Sequence, residues 1–177
     1  LHEEALAIHL EAKAIRERTL GQDDPDFAQS LNNLATTYSE LDDYEKALQL
    51  FEQSKDIYRK KFGEQHIRYA KSLGNIASVY RNRRMYNKAL KLYLQSIEIY
   101  KQLYGENHPN LITVSNNAAA TYKRMGNYEA ALATYQSALK IQERAFGPNH
   151  PRLALLLNNI GDMYGKKGDA ATALPLY

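Results

Sequence analysis

The chain contains no cysteine among its 177 residues. Disulfides, thiolate metal sites and a cysteine nucleophile are thereby excluded. Tryptophan is also absent, and proline is limited to five residues. No apolar run approaches the roughly 18 residues that a membrane-spanning helix needs. No Asn-x-Ser/Thr acceptor occurs, which fits an intracellular protein. The opening Leu1-His2-Glu3-Glu4 carries acid where a secretory signal carries base. Neither charge sign dominates: 23 Lys and Arg against 20 Asp and Glu leave a net charge of +3. Dedicated duplex binders concentrate far more basic charge on one face, so no nucleic-acid partner is expected. There is no phosphate-cradling Gly loop and no Gly-x-Ser-x-Gly elbow. No catalytic residues, no cofactor and no enzyme activity are expected.

A strict internal period is present instead, and it sets the fold. Gly21, Gly63, Gly105 and Gly147 are each 42 residues apart, as are Tyr38, Tyr80, Tyr122 and Tyr164. Asn33, Asn75, Asn117 and Asn159 follow the same spacing, and Ala5, Ala47, Ala89, Ala131 and Ala173 carry it toward both ends. The reading is a single array. A partial repeat (1–25) precedes full repeats at 26–67, 68–109 and 110–151, and a partial repeat (152–177) follows. Starting within a second helix and stopping early in another, the chain reads as a segment of a larger protein.

Each period reads as two helices. Phe27, Leu31, Leu34 and Tyr38 recur at steps of three and four, one face of a helix. Leu41-Asp42-Asp43 forms a polar turn, in which Asp42 or Asp43 can cap the helix that follows. Tyr44, Ala47, Leu48, Phe51, Ser54 and Tyr58 mark the second helix, which Phe62-Gly63 ends because Gly takes a left-handed conformation without strain. Pro25, Pro109 and Pro151 fall where first helices begin. Small residues at Ala35, Ala77, Ala119 and Gly161, and at the Ala47 column, let helices approach to about 8–10 Å. Each pair has apolar surface on more than one side and must stack on its neighbours.

The order Leu31, Leu34, Ala35, Tyr38, Ala47, Phe51 resembles the tetratricopeptide signature. The 42-residue period is longer than the usual 34 and is similar to the repeats of kinesin light chains and nephrocystin-3-like proteins. Leu31-Asn32-Asn33-Leu34-Ala35, the Gly-x-x-His-Pro runs at Gly105 to Pro109 and Gly147 to Pro151, and Ala173-Leu174-Pro175-Leu176 carry that likeness. The resemblance implies an all-α, right-handed superhelical solenoid of antiparallel helix pairs, with first helices lining a concave face. It also implies a cytoplasmic, cytoskeleton- or cilium-associated adaptor that holds a linear, acidic, aromatic-containing peptide, as light chains hold cargo. The alternative is a structural spacer or an oligomerisation segment of a larger ciliary or signalling protein, self-associating through its uncapped ends. No membrane insertion is expected.

If Leu31, Leu34 and Tyr38 face the core, the other side of that helix carries Gln29, Asn32, Asn33, Thr36 and Glu40. The next pair offers Lys71, Asn75, Ser78, Arg81 and Asn82. The third offers Thr113, Asn116, Asn117, Ala120 and Arg124, and the fourth Leu155, Asn159, Asp162 and Lys166. Asparagine has one acceptor and two donors on a short stem. A column of them can pair with an extended peptide backbone, or else with neighbouring helices. The expected peptide-binding residues are Gln29, Asn33, Lys71, Asn75, Ser78, Arg81, Asn82, Asn116, Asn117, Arg124 and Asn159. Asn32, Asn116 and Asn158 form a weaker column, broken by Gly74. Arg81, Arg83, Arg84, Lys123, Arg124, Lys166 and Lys167 cluster near the turns of later pairs and would favour an acidic ligand. His66, His108 and His150 stand in equivalent loops, where Asp24 is the fourth member. Repeats offset by roughly 10 Å cannot share a metal with bonds of about 2 Å, so turn or cap roles are expected and no metal site.

Overall fold

The computed structural model describes residues 2–174, apart from the side chains of His2, Glu3 and Ala170. The readings that fall on Leu1, Pro175, Leu176 and Tyr177 lie outside the described residues. The described residues are helical with short turns. In order they are α1 (His2–Leu20), α2 (Pro25–Glu40), α3 (Tyr44–Phe62), α4 (Ile67–Asn82), α5 (Tyr86–Tyr104), α6 (Asn110–Arg124), α7 (Tyr128–Phe146), α8 (Leu153–Lys166) and the short α9 (Ala170–Ala173). The chain divides into two compact units, residues 1–84 with α1 to α4 and residues 85–177 with α5 to α9.

The turns follow the local chemistry of the repeat. Gly63, at φ 81°, ends α3 and its amide donates to the Arg59 carbonyl at 2.9 Å. Asp42 takes φ 59° at the inner turn of the first full pair, and Arg84 takes φ 61° at the equivalent place. The left-handed region costs a non-glycine residue free energy, and the later pairs place Gly126 and Gly168 there instead. Of the two candidate caps in the first turn, Asp43 is the one that accepts, from the Lys46 amide at 3.2 Å. Lys46 also draws the Asp43 carboxyl below its ordinary range. Asn127 does the same job for α7, accepting from the Ala130 amide at 3.1 Å.

Pro25 is the first residue of α2, capped by Asp24. Pro109 and Pro151 sit slightly earlier relative to their helices. There the chain enters α6 and α8 through tight turns, with Ile112 donating to the Pro109 carbonyl at 3.0 Å and Ala154 to that of Pro151 at 3.2 Å.

In the first unit, Phe27, Ala28, Leu31, Ile57 and Tyr58 form one buried cluster. In the second, Ala119, Ala131, Tyr135, Ala138, Leu156, Ile160 and Met163 form another. Ala35, Ala119, Ala47 and Ala131 are all fully buried, as close helix contact at small-residue columns requires. Adding methylenes there would force the helices apart, at about 1–3 kcal/mol per site.

Candidate functional site

The first helices of the pairs carry the predicted binding residues on solvent-facing surface. In the first unit Gln29, Asn33, Lys71 and Asn82 are exposed, while Asn75, Ser78 and Arg81 are half-buried. Gln29 donates to the Asn33 side-chain oxygen at 3.0 Å, one turn along α2. Ser78 donates back to the Gly74 carbonyl at 3.1 Å. In the second unit Asn116, Asn117 and Asn159 are half-buried and Arg124 is exposed. Asn159 on α8 reaches Asn116 on α6 at 3.5 Å, an inter-helix link at the limit of hydrogen bonding. The asparagines therefore serve local and inter-helix contacts as well as facing solvent.

Asn32 departs from the sequence reading. It lies in the interior, 8% exposed, not on the solvent side of α2. Its amide nitrogen donates to the Ala28 carbonyl at 3.1 Å and to Ser54 Oγ at 2.5 Å, and lies 3.4 Å from the Tyr58 hydroxyl. Both Ser54 and Tyr58 come from α3, so Asn32 pins α2 to α3. Helical arithmetic placed it wrongly because it sits at the edge of the apolar stripe, where the partner helix decides burial.

The basic rim is partly neutralised. Lys123 on α6 forms an ion pair with Asp162 on α8, and Lys167 lies 3.4 Å from Glu129. Arg83 lines a shallow recess with the acidic turn residues Asp42, Asp43 and Glu45. Exposed pairs of this kind contribute roughly 0–1 kcal/mol, yet they lower the positive field available to a ligand.

The histidines act as loop caps. The Nδ1 atoms of His66, His108 and His150 each accept from the backbone amide two residues on, at 3.2 Å in all three. Asp24 does this with a carboxylate oxygen at 2.7 Å. Each ring also packs on the last aromatic of the preceding helix: His66 on Phe62 at 4.3 Å, His108 on Tyr104 at 4.5 Å and His150 on Phe146 at 5.1 Å. Among the described residues no cluster of metal-ligating side chains occurs, and no helix is long and apolar enough to cross a membrane.

A feature missed at the sequence level lies in the second unit. A cavity of about 620 Å³ opens between α6, the last turns of α7 and the start of α8. Ile112, Thr113 and Asn116 line one side, Leu155 and Leu156 the other, with Gln142 and Phe146 beyond them and Arg152 beside them. Gln142 is 5% exposed and lines this cavity; the fully enclosed side-chain atom that lacks a partner among the described residues is Asn32 Oδ1 of the first unit. The signal was present in the repeat. Gln142 stands where Tyr58 and Tyr100 stand in earlier repeats, and Leu155 stands where Lys71 stands.

Antiparallel helix pairs repeating every 42 residues, with loop caps and small-residue contacts in register, define an all-α repeat of the solenoid class. The sequence matches the tetratricopeptide repeat family over residues 1–60, 68–144 and 113–177, and the chain belongs to that family. No curated protein sequence matches it. Among solved structures it is similar to BtubC (BKLC) from P. vanneervenii, with 23% identity, a TM-score of 0.85, and 99% of this chain and 70% of that one covered. It is also similar to the nearly identical TPR-like repeats of a putative kinesin light chain from Podosopora anserina, with 22% identity, a TM-score of 0.81, and 99% and 83% covered. The apo form of RapI matches at 20% identity with a TM-score of 0.81, over 98% of this chain and 62% of that one. At these identities the likeness concerns the fold. The repeat family makes the chain a protein-interaction scaffold in general terms.

Proposed function

We propose that this chain is an adaptor that binds a linear, acidic, aromatic-containing peptide of a partner protein on the solvent face of its first helices. Kinesin-light-chain-like cargo recognition is the favoured form. The observation that carries the reading is the surface of those helices. Amide, hydroxyl and cationic groups (Gln29, Asn33, Lys71, Asn75 and Ser78 in the first unit; Asn116, Asn117 and Asn159 in the second) stand exposed or half-buried while the apolar stripe is buried. Short amides on a rigid helix offer donors and acceptors to a peptide backbone. Arg81, Asn82 and Arg124 supply polarity and positive charge at the ends of the same helices.

The chain has no Trp, so the fluorescence of a Trp-containing acidic peptide reports binding without background. Titration should be saturable and should weaken with salt. Arg81→Glu should raise Kd at least tenfold, and Asn75→Ala severalfold, with helicity unchanged. Identical Kd values for wild type and both variants would remove this reading.

One observation favours a second reading, that of a segment packed against further helices. Ile8, Leu10, Ile15 and Leu20 of α1 are 64, 44, 46 and 48% exposed. Concentration-dependent mass in sedimentation, abolished by Ile8→Glu and Ile15→Glu, would support it. A strict monomer that binds the peptide would exclude it.

A further inference from the structure

We infer that the cavity between α6, α7 and α8 receives an aromatic side chain of a bound peptide, and that a carboxylate next to that side chain pairs with Arg152. This rests on the peptide-adaptor reading and gives it a specific pocket and ligand chemistry.

The first unit supplies the template. Positions 84 residues apart are equivalent, being two periods removed. There, the Tyr58 ring is buried beside Asn32 and Ser54. Arg68 lies over Tyr58 at 5.5 Å and over Phe62 at 5.7 Å, with Asp26 at 3.9 Å. The guanidinium thus has an aromatic floor and a carboxylate, both from its own chain.

The second unit keeps the arginine and removes its partners. Arg152 still lies over Phe146, at 5.0 Å. Asn110 replaces Asp26, Gln142 replaces Tyr58 and Ala138 replaces Ser54. The carboxylate, the phenol and the hydroxyl are all gone, and two of the three replaced positions, Asn110 and Gln142, line the cavity. Arg152 is the one charged residue among those lining it, and none of them is acidic. A cation beside apolar surface, with no carboxylate of its own, is complementary to an anionic ligand that also brings apolar surface. Leu155, 62% exposed at the rim, extends the apolar wall where the first unit has Lys71. The carboxamide of Gln142 lines the cavity and offers both a donor and an acceptor there. A peptide backbone or a phenol in the cavity would pair with it.

Back-substitution gives the test, because each change writes a residue that the first unit already accommodates. Decapeptides with a central Tyr, Leu or Ala flanked by Glu, plus a Lys-flanked Tyr control, are titrated by calorimetry against the 177-residue chain. The Glu-flanked Tyr peptide should bind best, the Ala and Lys-flanked peptides at least tenfold more weakly. Asn110→Asp, which gives Arg152 an internal carboxylate, should weaken the Glu-flanked Tyr peptide at least fivefold. Leu155→Lys should weaken it severalfold, and Gln142→Tyr should nearly abolish it by filling the space. Circular dichroism should be unchanged throughout. If binding is insensitive to all three substitutions but lost in Asn75→Ala and Arg81→Glu, the cavity inference is wrong and the adaptor reading stands. If no peptide binds but the chain self-associates, and Gln142→Tyr breaks the association, the occupant is a second copy and the inference is likewise overturned.

Discussion

The helices α2, α3 and α4 and the helices α6, α7 and α8 are built from the same repeat, yet their interiors differ. In the first set Asn32, Ser54 and Tyr58 interlock, and Arg68 closes over the two aromatic rings. In the second set Asn116 turns toward Asn159 on α8, and Gln142 faces a cavity of about 620 Å³. The backbone pattern is held by what both sets keep: the buried alanines, the His and Asp loop caps, and the stacked aromatics. In a solenoid each repeat depends mainly on its neighbours. One interlock can therefore be lost without losing the fold.

The largest test of this contrast exchanges the residues. Tyr58→Gln should cost roughly 2–4 kcal/mol in urea unfolding, since it opens a void beside Asn32. Gln142→Tyr should change stability by less than about 1.5 kcal/mol in either direction, because room already exists. Equal losses from the two would show that the cavity is no real difference between the sets.

The middle member of that column gives a pH test. Burial pushes the Tyr100 phenol from 10.0 up to about 12. The folded state thus disfavours the phenolate. The associated stability is complete below pH 10 and is lost as pH rises from 10 towards 12. Tyr100→Phe should remove that part of the alkaline destabilisation. An unchanged alkaline limb in the variant would refute the assignment.

Loop caps come next in size. His66→Ala should cost about 1 kcal/mol, the usual scale for a lost cap. His66→Asp should recover part of it, because Asp24 caps the equivalent loop with its carboxylate. Equal thermal midpoints for the Ala variant and wild type would contradict the capping role.

The smallest expected effect is Asn110→Asp. Acid in the first turn of α6, next to Arg152, should stabilise by about 0.3–1 kcal/mol at low salt. The gain should fade in high salt as the charges are screened.

Much of the fold was legible in the residues. The 42-residue recurrence of Gly, Ala, Tyr and Asn gave helix pairs, their turns and their buried small residues. The column of His66, His108, His150 and Asp24 gave loop caps. Gln29, Asn33 and Lys71 are exposed, and their part in binding is the proposal made above. Asn32 was misplaced because an edge residue of an amphipathic stripe is assigned to core or solvent by the neighbouring helix, which one helix's periodicity does not contain. The rim charge was overstated because Lys123 and Asp162 are distant in sequence and meet only when α6 and α8 pack.

The sequence by itself determined the helix pairs, the repeat length, the turn geometry and the tetratricopeptide class, because each follows from local spacing repeated along the chain. The tertiary structure alone decided which polar residues are buried, which cations are already paired and where a cavity opens. Those outcomes depend on side chains from two or three helices meeting in space, and the substitution of Gln142 for a tyrosine acquires meaning only against the helices that surround it.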